Sequence, residues 1–449
     1  MNARPITTRR DFLAQSAAAA AGLSLINLSA SPLRAADDKP LKVAALITSF
    51  SPRSHAHVIL ENFVQPYLFN GKVTQPGMQV ASFYVDQIAA SDMSRDVAKQ
   101  FNIPIFPTIA QALTLGGDRL AVDAVLLIGE HGDYPVNAKA QMQYPRKQFF
   151  DQTIAVFKQS GRVVPLFCDK HLSYRWDWAK EMYDTTQAMK IPFMAGSSVP
   201  LAERRPPLEL PAGAKLTQAV SIHAGGVESY DIHALEVLQS MVEARAGGEK
   251  GVRQVQFLEG EALWSAAEGG QWSPELAAAA MAAELGADHE ITKWLQSRGK
   301  VSPATPVPIH GIAVEYIDGL KAISLKVGSS STRWNFACQL AGETTPRATA
   351  FYVGPWQNRN LFKALSHAIQ THFREKKSPY PIERTLLTTG VLDAAMDSRI
   401  AGGKKVETPQ LAIAYAPQDF RAMREMGATW KIITETTVEP PGFAPVGIE

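Results

Sequence analysis

From Leu41 to Gly196 the chain alternates short β-rich apolar runs with helical stretches, and this constrains the fold more than any other feature. Residues 42–48, KVAALIT, form an apolar run of the kind used by strands covered on both faces. Similar runs recur at 79–85, 103–106, 124–128, 163–167 and 191–195. Helical spacing occupies 55–63, 94–101, 109–115, 144–160 and 176–189, where Phe149, Phe150, Ile154 and Phe157 share one face of the longest segment. Strands alternating with helices imply a parallel sheet with right-handed crossovers, a Rossmann-like unit over residues 37–200.

A chain of 449 residues exceeds one ordinary domain. The Pro/Arg-rich stretch 199–211, with Arg204-Arg205-Pro206-Pro207, marks the boundary. Beyond it lie strand-like runs at 215–223, 252–258, 309–316, 321–326 and 349–353, among helices at 233–244, 274–282 and 361–373. That mix predicts an α+β domain over 201–437 with a mostly antiparallel open sheet. Residues 386–398 read as a helix interrupted by Gly390 and ended by Gly402-Gly403. The Pro/Gly-rich tail, 438–449, reads as an extended strap.

The 46% hydrophobic and 20% charged content is that of a globular protein with a large core. A net charge of +2 argues against a nucleic-acid surface or a polybasic membrane patch. Two cysteines, Cys168 and Cys338, make no disulfide framework and read as small core residues. At the N-terminus, Thr8-Arg9-Arg10-Asp11-Phe12-Leu13 precedes an alanine-rich apolar stretch, with small residues at Ala35 and Ala36. This predicts a twin-arginine signal peptide over 1–36, use of that export machinery and a periplasmic or otherwise exported protein. The stretch is too short and weakly apolar for a permanent membrane span. Twin-arginine export carries folded proteins, often already loaded with a cofactor.

In open parallel sheets ligands bind outside the carboxyl ends of the strands. The residues there are Ser49, Arg53, Ser54 and His55 after the first strand, and Asp86 after the second. Glu130, His131, Asp133 and Tyr134 follow the strand at 124–128, and Asp169, Lys170, His171, Tyr174, Arg175 and Trp176 the next.

The order of several motifs resembles the glucose–fructose oxidoreductase/inositol dehydrogenase (Gfo/Idh/MocA) family. Ala98-Lys-Gln-Phe-Asn-Ile-Pro104 and Val122-Asp-Ala-Val125 stand where that family has A-x-x-F-G-I-P and V-D-A-V. Asp169-Lys-His-Leu172 stands for its E-K-P-L, and Ile191-Pro-Phe-Met-Ala-Gly196 for its G-I-P-x-M-V-G. Gly225-Gly-Val-Glu-Ser-Tyr-Asp-Ile-His233 is similar to its glycine-rich segment ending in a histidine-bearing helix. The resemblance implies hydride transfer between NAD or NADP and a sugar, polyol or related hydroxylated compound. It makes Lys170 the catalytic-site lysine and His233 the general base, with Asp231 beside it. It places cofactor contacts at Ser49, Arg53, Ser54, Asp86, Glu130 and His131. Substrate contacts fall at Asp133, His171, Tyr174, Arg175, Trp176 and Glu228, with no metal ligands. It also implies a homo-oligomer through the open face of the second sheet.

The chain departs from the pattern in three places. Residues 49–55 contain no glycine and include Pro52, His171 replaces the motif proline, and Ser229 replaces the acid four before His233. Two other readings therefore stay open. One is a metal-assisted hydrolase, lyase or isomerase using His131, Asp133, His171, Glu228, Asp231 and His233. The other is a non-catalytic carbohydrate-binding protein. Each residue also has a plain role: Asp86 finishing a strand, Lys170 on the surface, His233 in the core. His131 and Asp133 could shape a turn at Gly132, and Tyr174 to Trp176 could pack a helix start. His55 and His57, two apart, read as helix surface.

Overall fold

The computed structural model describes residues 39–443. The signal peptide expected at 1–36 and the final six positions of the strap lie outside the described residues.

Strand β1 (Leu41–Ser49) enters a short loop and then helix α1 (His55–Val64), whose first turn is capped by the Ser54 hydroxyl accepting from His57 N–H. A hairpin follows, β2 (Tyr67–Phe69) and β3 (Lys72–Thr74), before β4 (Met78–Gln87). Its turn, Asn70-Gly71, takes positive φ at both positions, as a tight two-residue hairpin requires. Helices α2 (Ser94–Phe101) and α3 (Ile109–Thr114) lead to β5 (Ala124–Ile128). Then come α4 (Arg146–Ser160), β6 (Leu166–Asp169), α5 (Trp176–Ala188) and β7 (Phe193–Gly196).

These strands form a parallel sheet in the order β4-β1-β5-β6-β7. The strand expected at 103–106 is reduced to one parallel bridge, Ile105 beside Phe83. Pro104 and Pro107 flank it and remove the N–H groups a longer ladder needs. Counting that bridge, the order is third-second-first-fourth-fifth-sixth, the dinucleotide-binding arrangement, with its switch point between β1 and β5. Apolar residues alternate onto the two faces: Val43, Ala45 and Ile47 join one core, Ala44 and Leu46 the other.

The second sheet has eight strands in the order β15-β10-β11-β12-β9-β13-β14-β8. They are β8 (Glu203–Arg205), β9 (Leu216–Ala224), β10 (Val252–Glu259), β11 (Ile309–Tyr316), β12 (Lys321–Val327), β13 (Ser330–Leu340), β14 (Arg347–Tyr352) and β15 (Val406–Glu407). Only β9 and β12 pair in parallel, so the sheet is mostly antiparallel. The 199–211 stretch is more than a linker: β8 within it pairs with β14, and Arg204 is buried.

Helices α6 (Asp231–Val242), α10 (Asn358–Glu375) and α11 (Ile382–Ile400) pack in one core with Ala219, Ile312, Val314 and Phe336. The opposite face is covered by helices α7 (Gly260–Glu268), α8 (Pro274–Leu285) and α9 (Glu290–Gln296), over Val220, Ile222, Ala313 and Ile323. Among the described residues helices thus lie against both faces of this sheet, where the resemblance implied one open face. Helix α11 runs unbroken through Gly390. Both cysteines are buried and unpaired. Among the described residues no helix is long and apolar enough to cross a membrane.

The strap crosses back to α1. Arg359 donates to the carbonyls of Pro440 and Gly442, and Glu439 pairs with Arg53. Phe443 is buried against Phe50, His57 and Phe101, at ring-centroid distances of 5.8, 5.2 and 6.0 Å.

Candidate active site

A cleft of about 300 Å³ opens at the carboxyl edge of the first sheet, walled on its far side by α6, β13 and α10. Four elements bring titratable groups into it. His55 opens α1, Glu130 and His131 follow β5, Lys170 follows β6, and His233 lies in the first turn of α6. Tyr144, Tyr230 and Trp334 supply aromatic walls, Tyr230 and Trp334 stacking at 5.4 Å with 5° between their planes. Aromatic walls around a few polar groups suit a hydroxylated ring, whose C–H faces stack while its hydroxyls take hydrogen bonds.

Lys170 adopts φ +57° just past the end of β6, which turns its ammonium inward to Glu130 at 2.8 Å and the Ser229 carbonyl at 3.1 Å. Glu130 also pairs with Arg146, which is fully buried. Burial alone would raise the Glu130 carboxyl, but Lys170 and Arg146 hold it well below its usual range. One carboxylate thus serves two cations, and the Lys170 ammonium is the cation that lines the cleft, where an alkoxide or enolate oxygen would be held.

The imidazoles differ. Burial, then His55, lowers His131 to about 4. Burial and the nearby Lys170 push His233 well below its ordinary value, so it is neutral at pH 7. Its Nδ1 meets the Ser197 hydroxyl at 2.6 Å. His55 Nδ1 lies 2.5 Å from Asp169 Oδ2, and its ring faces His131 at 5.1 Å.

Other residues singled out in the sequence lie elsewhere. His171 and Glu228 are buried and pair with each other at 3.2 Å, outside the cleft lining. Asp231 opens α6 and accepts from His223 Nε2 at 2.9 Å and His310 Nε2 at 2.8 Å. Among the described residues these three are the one group close enough to hold a metal ion. Gly225 N–H, however, donates to His223 Nδ1 at 3.3 Å, which puts that ring's proton on Nε2, facing Asp231 rather than a metal. The six-residue metal set considered from sequence does not converge. Asp133 is exposed, and its backbone exchanges two hydrogen bonds with Gln87. Tyr174, Arg175 and Trp176 do not line the cleft: Tyr174 meets Trp178, Arg175 pairs with Asp177, and Trp176 packs at Gly390. A larger groove of about 610 Å³ lies beside Arg204 and Arg424, but both arginines share Glu209, and none of the groups discussed here reaches it.

Sequence reading assigned no role to Tyr144, Tyr230 or Trp334, and it set His55 aside as helix surface although it stood at the ligand edge. Only His55 carried a signal: a histidine at the helix start that follows the first strand lies at the ligand edge.

The phosphate loop can be tested for a dinucleotide. Three of its amides already have acceptors: Ser51 N–H donates to Ser54 Oγ, Ser54 N–H to the Ser51 carbonyl, and Arg53 N–H to His57 Nδ1. The Arg53 guanidinium is held by Glu439, Asn358 and the Trp356 carbonyl. Tyr84 and Tyr134 both donate to Asp86 at 2.7 Å. With the Gln87–Asp133 exchange, this clasp ties the loop after β5 to the end of β4, across the end of β1. In this arrangement Ser49, Arg53, Ser54 and Asp86 do not fit a pyrophosphate held through backbone amides or a ribose held by a free carboxylate.

No known family pattern matches the sequence, and no curated protein matches it. Solved structures do match. One is GenD2 from gentamicin A biosynthesis in complex with NAD, with TM-score 0.50 and 11% identity over 82% of this chain and 96% of that one. Another is scyllo-inositol dehydrogenase from Lactobacillus casei with bound NAD(H) and scyllo-inositol, with TM-score 0.50 and 9% identity over 82% of this chain and 99% of that one. At such identity the likeness concerns architecture, and this chain has the α/β fold of the Rossmann-like dehydrogenases.

Proposed function

We propose that this chain is an enzyme that moves protons at a hydroxyl-bearing carbon of a sugar- or polyol-like compound, as an oxidoreductase of the inositol-dehydrogenase type. The observation that carries it is the convergence of Lys170, Glu130, His131, His233 and His55 in one aromatic-walled cleft at the carboxyl edge of the first sheet. Lys170 is placed to hold a substrate oxygen, an imidazole to exchange its proton, and Tyr230 and Trp334 to fix the ring. The likeness to a dehydrogenase crystallised with scyllo-inositol supports the substrate class. The hydride acceptor in this reading would be NAD or NADP, held otherwise than through the amides of residues 51–54 and a free Asp86 carboxylate. The N-terminal reading adds export by the twin-arginine route.

The closed phosphate loop favours a second reading: the same groups running elimination or isomerisation with no dinucleotide. One experiment separates the two. The mature protein is denatured and the released small molecules analysed by mass spectrometry, and the intact protein is titrated with NADH and NADPH. Near-stoichiometric nucleotide, or micromolar binding on addition, is expected for the oxidoreductase. Neither nucleotide released nor bound retires that reading and leaves the second.

A further inference from the structure

We propose that His55, held by Asp169, is the group that takes the substrate proton in this cleft, with His233 acting as a hydrogen-bond donor. The inference rests on reading the cleft as an active site and applies to either chemistry above.

A carboxylate only accepts hydrogen bonds, so the 2.5 Å contact between His55 Nδ1 and Asp169 Oδ2 places the ring proton on Nδ1. The Nε2 lone pair is then left free, and among the described residues it has no hydrogen-bond partner. The ring lines the cleft. Asp169 is 1% exposed, at the last position of β6, one residue before Lys170. The same strand end therefore orients both the proton acceptor and the ammonium that holds the substrate oxygen. Phe362 of α10 packs on the His55 ring at 4.6 Å and fixes its tilt. The other charged or titratable groups around it are His131 and Glu130 after β5, Lys170 after β6 and His233 on α6.

His233 is set up differently. The Ser197 hydroxyl accepts from Val199 N–H, and among the described residues His233 Nδ1 is the one acceptor in reach of its own proton, so the hydroxyl donates to that nitrogen. That arrangement places the His233 proton on Nε2, as a donor to the cleft. In the step itself the substrate O–H bond breaks, an Nε2–H bond forms on His55, and the electron pair stays on oxygen beside Lys170. Asp169 remains a carboxylate and steadies the imidazolium.

The test uses full-length protein labelled with [15N]histidine, compared with His55→Gln and Asp169→Asn. NMR reads the tautomer of each ring at pH 8 without any substrate. The signal lost in His55→Gln is expected to be the Nδ1–H tautomer in the parent and to switch to Nε2–H in Asp169→Asn, because an amide can donate to Nδ1. An Nε2–H tautomer in the parent overturns the proposal. In parallel, turnover is measured on a panel of inositols and hexoses with NAD+ and NADP+. Both variants should lose at least about 100-fold in kcat with KM little changed, and unchanged kcat in His55→Gln overturns the proposal. If the parent binds neither NADH nor NADPH while its tautomer is as stated, the oxidoreductase reading falls and the tautomer result alone decides the proton acceptor.

Discussion

Two histidines on α1 show what a single residue's context decides. Spacing places His55 and His57 on different faces, and the structure agrees, but both faces are buried. His55 meets Asp169, and His57 stacks on Phe443. Partners 114 and 386 positions away leave no trace in local periodicity. Lys170, Glu130, His131 and His233 were legible because strand ends can be located from pattern and motif order. Their neighbours His171, Glu228 and Asp231 looked equivalent in sequence, and only the fold shows them paired off behind the cleft. Glu130 offers a test at this scale. Among the described residues it is the one acid that both Arg146 and Lys170 contact, and those two cations are 0% and 5% exposed. Glu130→Gln leaves them uncompensated and should lower unfolding free energy by about 3–5 kcal/mol. Urea denaturation at pH 7 measures this, and a loss under about 1 kcal/mol would refute the shared-carboxylate account.

At the scale of elements, helices and buried strands of the first sheet were readable because each is an apolar run of distinctive period. The elements that escaped are those whose stability comes from elsewhere. Strands β8 and β15 exist as partners of longer strands, and β13 begins with the polar run Ser330-Ser331-Thr332-Arg333. The β2–β3 hairpin had a usable signal in Asn70-Gly71 that went unread. Gly390 was taken as an interruption, yet α11 passes through it because its missing side chain makes room for neighbours. A Cβ there would lie 2.3 Å from Leu411 Cδ2 and 2.8 Å from Trp176 Cε3. Gly→Ala inside a helix ordinarily stabilises by about 1 kcal/mol. Here overpacking against Trp176 should reverse the sign, and Gly390→Ala is expected to cost roughly 1–3 kcal/mol. A raised melting temperature would show that the helix tolerates the methyl.

For the molecule as a whole, buried imidazoles set the response to acid. Burial is the leading cause that lowers His57, His131, His367 and His372 to about 4, and it also lowers His171, His223 and His233. Their unfolded counterparts take up protons below about 6.5. The folded state is therefore favoured above that pH and loses ground as pH falls from about 6.5 toward 4. Each such group costs on the order of 1.4 kcal/mol per pH unit in that window. Glu61, raised to about 7 by burial, and Glu236, which burial also raises, act in the opposite sense, two groups against seven. The urea midpoint should fall steeply between pH 7 and pH 5, and a flat or rising midpoint would contradict this balance.

The burial of Phe443 has a consequence for how the chain comes off the ribosome. This ring closes a gap between Phe50, His57 and Phe101, the layer that flanks β1. The first sheet can collapse early, but its helix layer stays incomplete until residue 443 has been made. A chain stalled or nicked ahead of Phe443 would carry an exposed aromatic seam beside β1, so the two distant segments are proofread as a single event.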